Sequence, residues 1–182
     1  MLVDPQNDFC PGGALAVVDG DLVMPVLTAW AAAADQAGVP MFVSRDWHPP
    51  RTTHFKAYGG VWPPHCVIGT HGAEFHADLT LPASAVVVSK GMGENEDAYS
   101  AFQARDTAER RLATLLGERG VTHLFVMGLA TDYCVKASAL AGLENGLRIT
   151  VVADGIRAVN LQPDDGQKAI DDMRQAGVEI ST

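Results

Sequence analysis

Cys134 lies where a thiol can serve as a nucleophile. Residues 122–127 form an apolar run of strand length, and residues 135–145 carry apolar side chains among alanines without proline, the pattern of a helix. Thr131 or Asp132 is expected to cap the free N–H groups of that helix. Those groups and the helix dipole favour a thiolate, so we expect the pKa of the thiol to be lower than its usual value of about 8.5; a pKa of about 7 would make half of the thiol thiolate at neutral pH. The alternative is a small buried cysteine without chemistry, which is the commoner fate of this residue.

A nucleophilic thiol needs a base and a positive charge, and Asp4 and Lys90 are available for these roles. Each directly follows an apolar run of strand character. Asp4 could remove the thiol proton and later donate it to a leaving amine, while Lys90 could lower the pKa of both partners. Singly, such an aspartate is more often a turn residue and such a lysine a solvated one. Together, at the ends of strands, they favour catalysis.

A second group of residues suited to chemistry lies between positions 46 and 65. One carboxylate, Asp46, is followed by three imidazoles, His48, His54 and His65. This donor set suits a divalent transition metal such as zinc, iron or manganese. Asp46 and His48 are two residues apart, so on an extended chain their side chains can point the same way. The alternative for each histidine is an isolated surface residue, and the spacing matches no zinc-finger pattern.

Alternating strands and helices must position these residues. Apolar runs predict six strands, at residues 1–3, 39–44, 85–89, 122–127, 148–153 and 178–180. Helical spacing predicts four helices, at residues 21–37, 107–119, 135–145 and 163–175. The alternation indicates an α/β fold with three layers: a doubly wound, mainly parallel sheet with helices on both faces. In such sheets the ligand crevice lies beyond the carboxyl ends of the strands, where Asp4, Asp46, Lys90 and Cys134 are expected to meet.

Two long stretches carry no clear periodicity. Residues 49–82 hold prolines and glycines, and their aromatic side chains argue against disorder, so we expect functional loops there. Residues 91–98 are acidic and glycine-containing, and they are predicted to form a solvated loop.

The composition is that of an ordinary globular protein. The 182 residues are 47 % hydrophobic and 19 % charged, and a net charge of −9 without a basic stripe argues against nucleic acid. No apolar run reaches membrane-spanning length, and Met1–Val3 is too short for a signal peptide, so neither a membrane nor export is expected. The three cysteines, an odd number, indicate reduced thiols in a cytoplasmic protein. Without a linker or repeat, residues 1–182 are expected to form one domain.

Several short motifs occur in order along nearly the whole chain, and together they are highly specific. They are Val3-Asp4-x-Gln6-Asn7-Asp8-Phe9-Cys10, Pro11-Gly12-Gly13-x-Leu15, Arg45-Asp46-Trp47-His48, Trp62-Pro63-Pro64-His65-Cys66-Val67-x-Gly69-Thr70, Lys90-Gly91, Tyr99-Ser100-Ala101-Phe102 and Gly128-Leu129-Ala130-Thr131-Asp132-Tyr133-Cys134-Val135. In these motifs the chain resembles the isochorismatase-like cysteine hydrolases, and in particular their nicotinamidase/pyrazinamidase branch. Tyr133 stands where some members of the family carry histidine.

The resemblance implies roles for individual residues. It implies a catalytic triad of Asp4, Lys90 and Cys134. It implies one divalent metal ion, either zinc, iron or manganese, on Asp46, His48, His54 and His65. It implies a substrate slot near Phe9, Trp62 and Tyr99, with the backbone N–H groups of Ala130 and Cys134 as the oxyanion hole. In this family the peptide bond before the alanine that Ala130 matches is typically cis.

The resemblance also implies the reaction. The expected activity is metal-dependent hydrolysis of nicotinamide, and of pyrazinamide, to the acid and ammonia through a cysteine thioester, in NAD salvage. The substrate would be the main partner, and a homodimer is possible. The alternatives are a related hydrolase acting on another small amide or on isochorismate, a binding or scaffold protein without turnover, and a metal-binding module.

Overall fold

A single parallel sheet of six strands organises the molecule. A computed structural model describes residues 1–181 and gives the strand order β3-β2-β1-β4-β5-β6. The strands are β1 (Leu2–Val3), β2 (Phe42–Asp46), β3 (Val86–Lys90), β4 (His123–Leu129), β5 (Arg148–Arg157) and β6 (Glu179–Ser181). All six predicted strands are present, and β5 is longer than predicted.

Within the described part of the chain, four α-helices connect the strands. They are α1 (Met24–Gln36), α2 (Leu112–Glu118), α3 (Lys136–Glu144) and α4 (Asp165–Ala176). Right-handed crossovers that run in opposite directions from β1 place their helices on opposite faces of the sheet. One face therefore carries α1 and the other carries α3 and α4, which confirms the predicted doubly wound α/β class.

The predicted start of α2 at Thr107 is wrong by five residues. The carboxylate of Asp106 accepts the backbone N–H groups of Ala108 and Arg110, both at 2.9 Å, and also pairs with the guanidinium of Arg110. A side chain that bonds nearby backbone groups offers the chain an alternative to a helix. The Asp106 turn therefore replaces the first turn of the predicted helix, and the helix begins only at Leu112.

The core lies between the sheet and its helices. Leu112, Leu115 and Leu116 are buried on α2 as their spacing predicts. Two apolar residues of the predicted first helix are not buried. Leu22 is 55 % exposed and lies in a 3-10 turn that precedes α1, and Trp30, on α1, is 37 % exposed. Among the described residues, none of the helices combines the length and the apolar character that crossing a membrane requires.

The order of the strands reverses at β1, which connects to β2 on one side and pairs with β4 on the other. A crevice opens at such a switch point, outside the carboxyl ends of the strands. Asp4 directly follows β1, while Asp46 and Lys90 end β2 and β3 and lie opposite each other in register. The fold thus brings residues that are more than 40 positions apart to one edge of the sheet.

Candidate active site

Asp4, Lys90 and Cys134, here called the nucleophile cluster, meet at this edge. The ammonium of Lys90 lies 2.9 Å from Asp4 Oδ2 and 3.5 Å from Cys134 Sγ. It also contacts a carboxylate oxygen of Asp46 and the carbonyl of Ala98. Lys90 and Asp4 are completely buried. The sequence predicted this convergence, and the structure places one cation among two carboxylates and a thiol.

The backbone and a neighbouring strand fix the direction of the Asp4 carboxylate. Asp4 has a φ of +46°, a left-handed conformation that turns the chain sharply after β1. Its Oδ1 accepts the hydroxyl of Ser44, on β2, at 2.6 Å. The other oxygen, Oδ2, is therefore the one that faces Lys90.

The pKa values of the nucleophile cluster are shifted by burial, and that of the Cys134 thiol is shifted in the direction opposite to the prediction. Burial raises the pKa of Cys134 well above its usual value, and the positive charge of Lys90 only partly opposes this. The expected lowering of this pKa is therefore wrong for the free protein. Burial also raises the pKa of Asp4, against the influence of Lys90. Although burial disfavours the charge of Lys90, its pKa is raised because the negative charges of Asp4 and Asp46 stabilise the ammonium.

The turn that carries Cys134 is built differently from a capped helix. Residues Thr131–Val135 form one wide helical turn before α3, and no side chain of residues 1–181 caps it. The carboxylate of Asp132 instead accepts the N–H groups of Val159 and Asn160, at 3.0 and 2.8 Å. The predicted capping role of Thr131 or Asp132 is therefore wrong. The Leu129–Ala130 peptide bond is cis, as the resemblance implies.

His48, His54 and His65, here called the histidine cluster, lie beside the nucleophile cluster. One ring nitrogen from each lies within 4.8 Å of the other two, and all three side chains are buried. Each Nδ1 has an acceptor, so each imidazole is held with Nδ1 protonated and with the lone pair on Nε2. The acceptors are the carbonyl of Gly91 for His48 (3.0 Å), the carboxylate of Asp97 for His54 (2.5 Å) and the carbonyl of Pro63 for His65 (2.8 Å).

The histidine cluster fits a divalent transition metal. His48 Nε2 is buried and has no hydrogen-bond partner among the described residues, which is costly unless a cation uses the lone pair. Burial lowers the pKa of His54, and it lowers that of His65 to about 4, so both rings are in the neutral form that binds metals.

Asp46 connects the two clusters. Its Oδ1 contacts Lys90, while its Oδ2 lies 3.7 Å from His48 Nε2 and 3.8 Å from His65 Nε2. Two donors that are each about 2.1 Å from one metal can be up to about 4.2 Å apart, so these separations suit a shared ion. Burial opposes the charge of Asp46, but Lys90 and the imidazoles nevertheless hold its pKa below the usual value.

Gln6 supports Asp46 in a way that the sequence analysis missed. Its side-chain amide donates to the carbonyl of Asp46 and accepts the N–H of the same residue, both at 2.8 Å. It also donates to the carbonyl of Ala73. Gln6 belongs to the first motif quoted above, but nothing in its local sequence indicates a contact 40 residues away.

An aromatic pocket adjoins both clusters. Phe9, Trp62 and Tyr99 line it as implied, together with Cys134, Ala130, Leu15, Val159 and Tyr133. The indole N–H of Trp62 donates to the hydroxyl of Tyr99 at 2.9 Å, and the ring of Tyr133 meets Trp62 edge-on at 4.9 Å. Sequence reasoning missed Tyr133, although its position beside Cys134 was a usable signal.

The cavity itself measures about 30 Å³, room for a water or two. A wider apolar groove of about 460 Å³, which includes Trp30, Met41 and Phe125, contains none of the predicted site residues. The chemistry of the lining, rather than the size of the concavity, locates the site.

Comparison with known proteins places the chain among similar sequences and structures. The isochorismatase domain family matches residues 1–182. The nicotinamidase of Escherichia coli is 39 % identical over 100 % of this chain and 93 % of its own length. The nicotinamidase/pyrazinamidase of Mycobacterium tuberculosis is also 39 % identical, over 99 % and 96 %. The zinc complex of Pyrococcus horikoshii pyrazinamidase superposes with a TM-score of 0.91 at 36 % identity, covering 100 % of this chain and 96 % of that one.

Proposed function

This chain belongs to the isochorismatase domain family, and we propose that it hydrolyses nicotinamide to nicotinate and ammonia through a cysteine thioester. The observation that carries the proposal is the contact of Lys90 with both Asp4 and Cys134, directly beside the histidine cluster. Relatives that are 34–39 % identical over nearly the whole chain are nicotinamidases. Pyrazinamide is the proposed second substrate, and NAD salvage is the proposed role.

In the first half of the reaction, Asp4 accepts the proton of Cys134 as the sulfur attacks the carboxamide carbon. The raised pKa of both groups suits this step, because the thiol keeps its proton until substrate is present and the carboxylate is basic enough to take it. Lys90, 3.5 Å from the sulfur, stabilises the thiolate. The C–S bond forms, the C–N bond breaks, and the same proton leaves with ammonia from Asp4.

In the second half, water adds to the thioester carbon and gives a proton to Asp4. The C–S bond then breaks, Asp4 returns its proton to the sulfur, and the product leaves as nicotinate once its carboxyl proton has passed to solvent. We assign the backbone N–H groups of Ala130 and Cys134 to the oxyanion of both tetrahedral intermediates. One such donor contributes about 2.7–4 kcal/mol to transition-state stabilisation in other enzymes.

The substrate ring is proposed to lie among Phe9, Trp62 and Tyr99, with Tyr133 as a further wall. These residues line the same pocket as Cys134. The cavity among these side chains measures about 30 Å³, so we propose that one or more of them move when a planar ring binds. The proposed role of Tyr133 rests on the edge-on contact of its ring with that of Trp62.

Asp46, His48, His54 and His65 are proposed to hold one divalent metal ion, either zinc, iron or manganese. A bound metal supplies a Lewis acid that polarises water or a ring nitrogen. Zinc is the first choice to test because it is bound in the pyrazinamidase of Pyrococcus horikoshii.

The remaining proposals concern context. We propose one hydrolase domain over residues 1–182, since the family match spans that range. The three cysteines are free, which fits the proposed cytoplasmic location. A homodimer remains a prediction.

The test is ammonia release from nicotinamide by wild type and by Cys134→Ala, each metal-loaded and chelated. Loss of the nucleophile is expected to reduce the rate by at least about 10³-fold, and chelation should also reduce it. Cys10→Ala is a matched control, because Cys10 is also a buried free thiol but lies outside the nucleophile cluster. An inactive, metal-loaded wild type would reject nicotinamide, and small amides and isochorismate would then be tested.

A further inference from the structure

The acidic segment 91–98, predicted to be a solvated loop, contacts the site at three points. Two of its residues bind ligand histidines and a third binds the lysine of the nucleophile cluster. The contacts are Gly91 O with His48 Nδ1 (3.0 Å), Asp97 Oδ1 with His54 Nδ1 (2.5 Å) and Ala98 O with Lys90 Nζ (3.3 Å). This segment therefore supports both clusters from outside.

The three imidazoles are held by acceptors of different kinds. Backbone carbonyls hold His48 and His65, so the main chain fixes those rings. His54 alone is held by a carboxylate, and the side chain of Asp97 that supplies it is 62 % exposed. The orientation of His54 therefore depends on a residue that a substitution can remove without disturbing the backbone.

We propose that Asp97 is a positioning residue for the metal centre. Its carboxylate holds His54 with Nδ1 protonated, which directs the Nε2 lone pair to the ion and makes the imidazole a stronger ligand. The proposal rests on the proposed metal site, but it does not depend on which amide is the substrate.

The surroundings of His54 make this contact well defined. The backbone N–H of Thr53 donates to the carbonyl of Glu94 at 2.7 Å, which ties the histidine's own segment to the loop. The ring of His54 stacks on that of His48 at 4.7 Å with an interplanar angle of 22°. The face of the His54 ring thus packs against His48, and the hydrogen bond to Asp97 fixes its edge.

The first experiment measures the affinity of the metal-free protein for Zn²⁺ by competition with a chromogenic chelator. We expect Asp97→Ala to bind about 10- to 100-fold more weakly than wild type, the usual effect of losing a partner of a ligating histidine. Asp97→Asn should lie between the two, because its amide oxygen can still accept the Nδ1 proton but carries no charge.

Glu94→Gln is the matched control, since it removes one negative charge from an exposed position on the same loop. It should bind Zn²⁺ within about twofold of wild type, in keeping with the small effect of an exposed charge. Equal weakening by Glu94→Gln and Asp97→Ala would overturn the proposal in favour of a general charge effect. Wild-type affinity in Asp97→Ala would overturn it as well.

Two further measurements separate positioning from a loss of local structure. In a His54→Ala background, Asp97→Ala should cause no additional loss of Zn²⁺ affinity, because the two residues act through one ligand. The visible absorption of the Co²⁺-substituted protein should change in Asp97→Ala and stay unchanged in Glu94→Gln. Additive losses in the double variant would overturn the proposal. If wild type itself bound no Zn²⁺, the metal centre would fail, whatever the activity towards nicotinamide.

Discussion

The nucleophile cluster and the histidine cluster lie side by side but satisfy their polar groups in opposite ways. In the first, a buried ammonium balances buried carboxylates, so the charges find their partners within the protein. In the second, the Nδ1 atoms are hydrogen-bonded, one ring nitrogen of each histidine lies within 4.8 Å of the other two, and His48 Nε2 has no hydrogen-bond partner among the described residues. The first cluster thus pairs opposite charges within the protein, with Asp4 Oδ2 at 2.9 Å from the Lys90 ammonium, whereas the second offers neutral nitrogen donors that suit a metal ion.

This difference predicts different consequences of substitution. Removing a member of a balanced buried group leaves uncompensated charge, so the fold itself should suffer. Removing a member of the histidine cluster should chiefly weaken metal binding, because neutral rings leave no stranded charge. The two clusters share Asp46, whose two oxygens face one cluster each.

The largest effect is expected from Lys90→Met, which breaks the balance of the nucleophile cluster. Asp4 and Asp46 would remain buried without their cation, so the free energy of unfolding should fall by about 3–5 kcal/mol, and turnover should be lost. Chemical denaturation followed by circular dichroism measures the first effect. Lys168→Met, at a side chain that is 67 % exposed, should change stability by no more than about 0.5 kcal/mol. A Lys90→Met variant as stable as wild type would show that the ammonium of Lys90 does not stabilise the buried carboxylates of Asp4 and Asp46.

A smaller effect is expected from pH in the metal-free protein. The pKa of His65 is lowered by burial to about 4, against 6.5 for the free side chain. Between these values the unfolded chain binds the proton and the folded chain does not, so stability is full above pH 6.5 and falls as the pH drops towards 4. The difference between these two pKa values corresponds to about 3 kcal/mol in the free energy of unfolding.

Denaturation of the chelated protein between pH 4 and 7 measures this effect. His65→Gln should show a flatter dependence of stability on pH than wild type. His71→Gln is the control, because that side chain is 82 % exposed, and it should keep the wild-type slope. Equal slopes in wild type and His65→Gln would show that His65 is not held neutral by the fold.

The sequence was sufficient for the parts of this site that depend on where strands end. Asp4, Asp46 and Lys90 each close an apolar run, and in a parallel sheet such positions share one edge. The sequence was insufficient where a contact depends on packing between distant segments. The bond between Asp97 and His54 spans 43 positions, and the carboxylate of Asp132 caps a loop 27 positions away rather than its own helix. The pKa of Cys134 was mispredicted for the same reason, since burial outweighs the local helix start.

The smallest effect is expected in Phe9, Trp62, Tyr99 and Tyr133, here called the aromatic wall, which line the pocket beside both clusters but carry no charge. Tyr99→Phe removes the acceptor of the Trp62 indole N–H, and Trp62 is only 7 % exposed. An unpaired buried donor costs about 1 kcal/mol, so we expect KM for nicotinamide to rise about fivefold as the wall loosens, with kcat within about twofold of wild type.

Steady-state kinetics on Tyr99→Phe distinguish a residue that only holds the substrate from one that acts in the chemical step. Tyr58→Phe is the control, because that residue is 43 % exposed, and its kcat and KM should equal those of wild type. An interaction made equally in the bound substrate and in the transition state changes KM alone. A fall in kcat that matches the fall in kcat/KM would instead show that Tyr99 acts on the reacting atoms. In that case Tyr99 would have to be counted with the nucleophile cluster as a catalytic residue, and not with the residues that only hold the substrate ring.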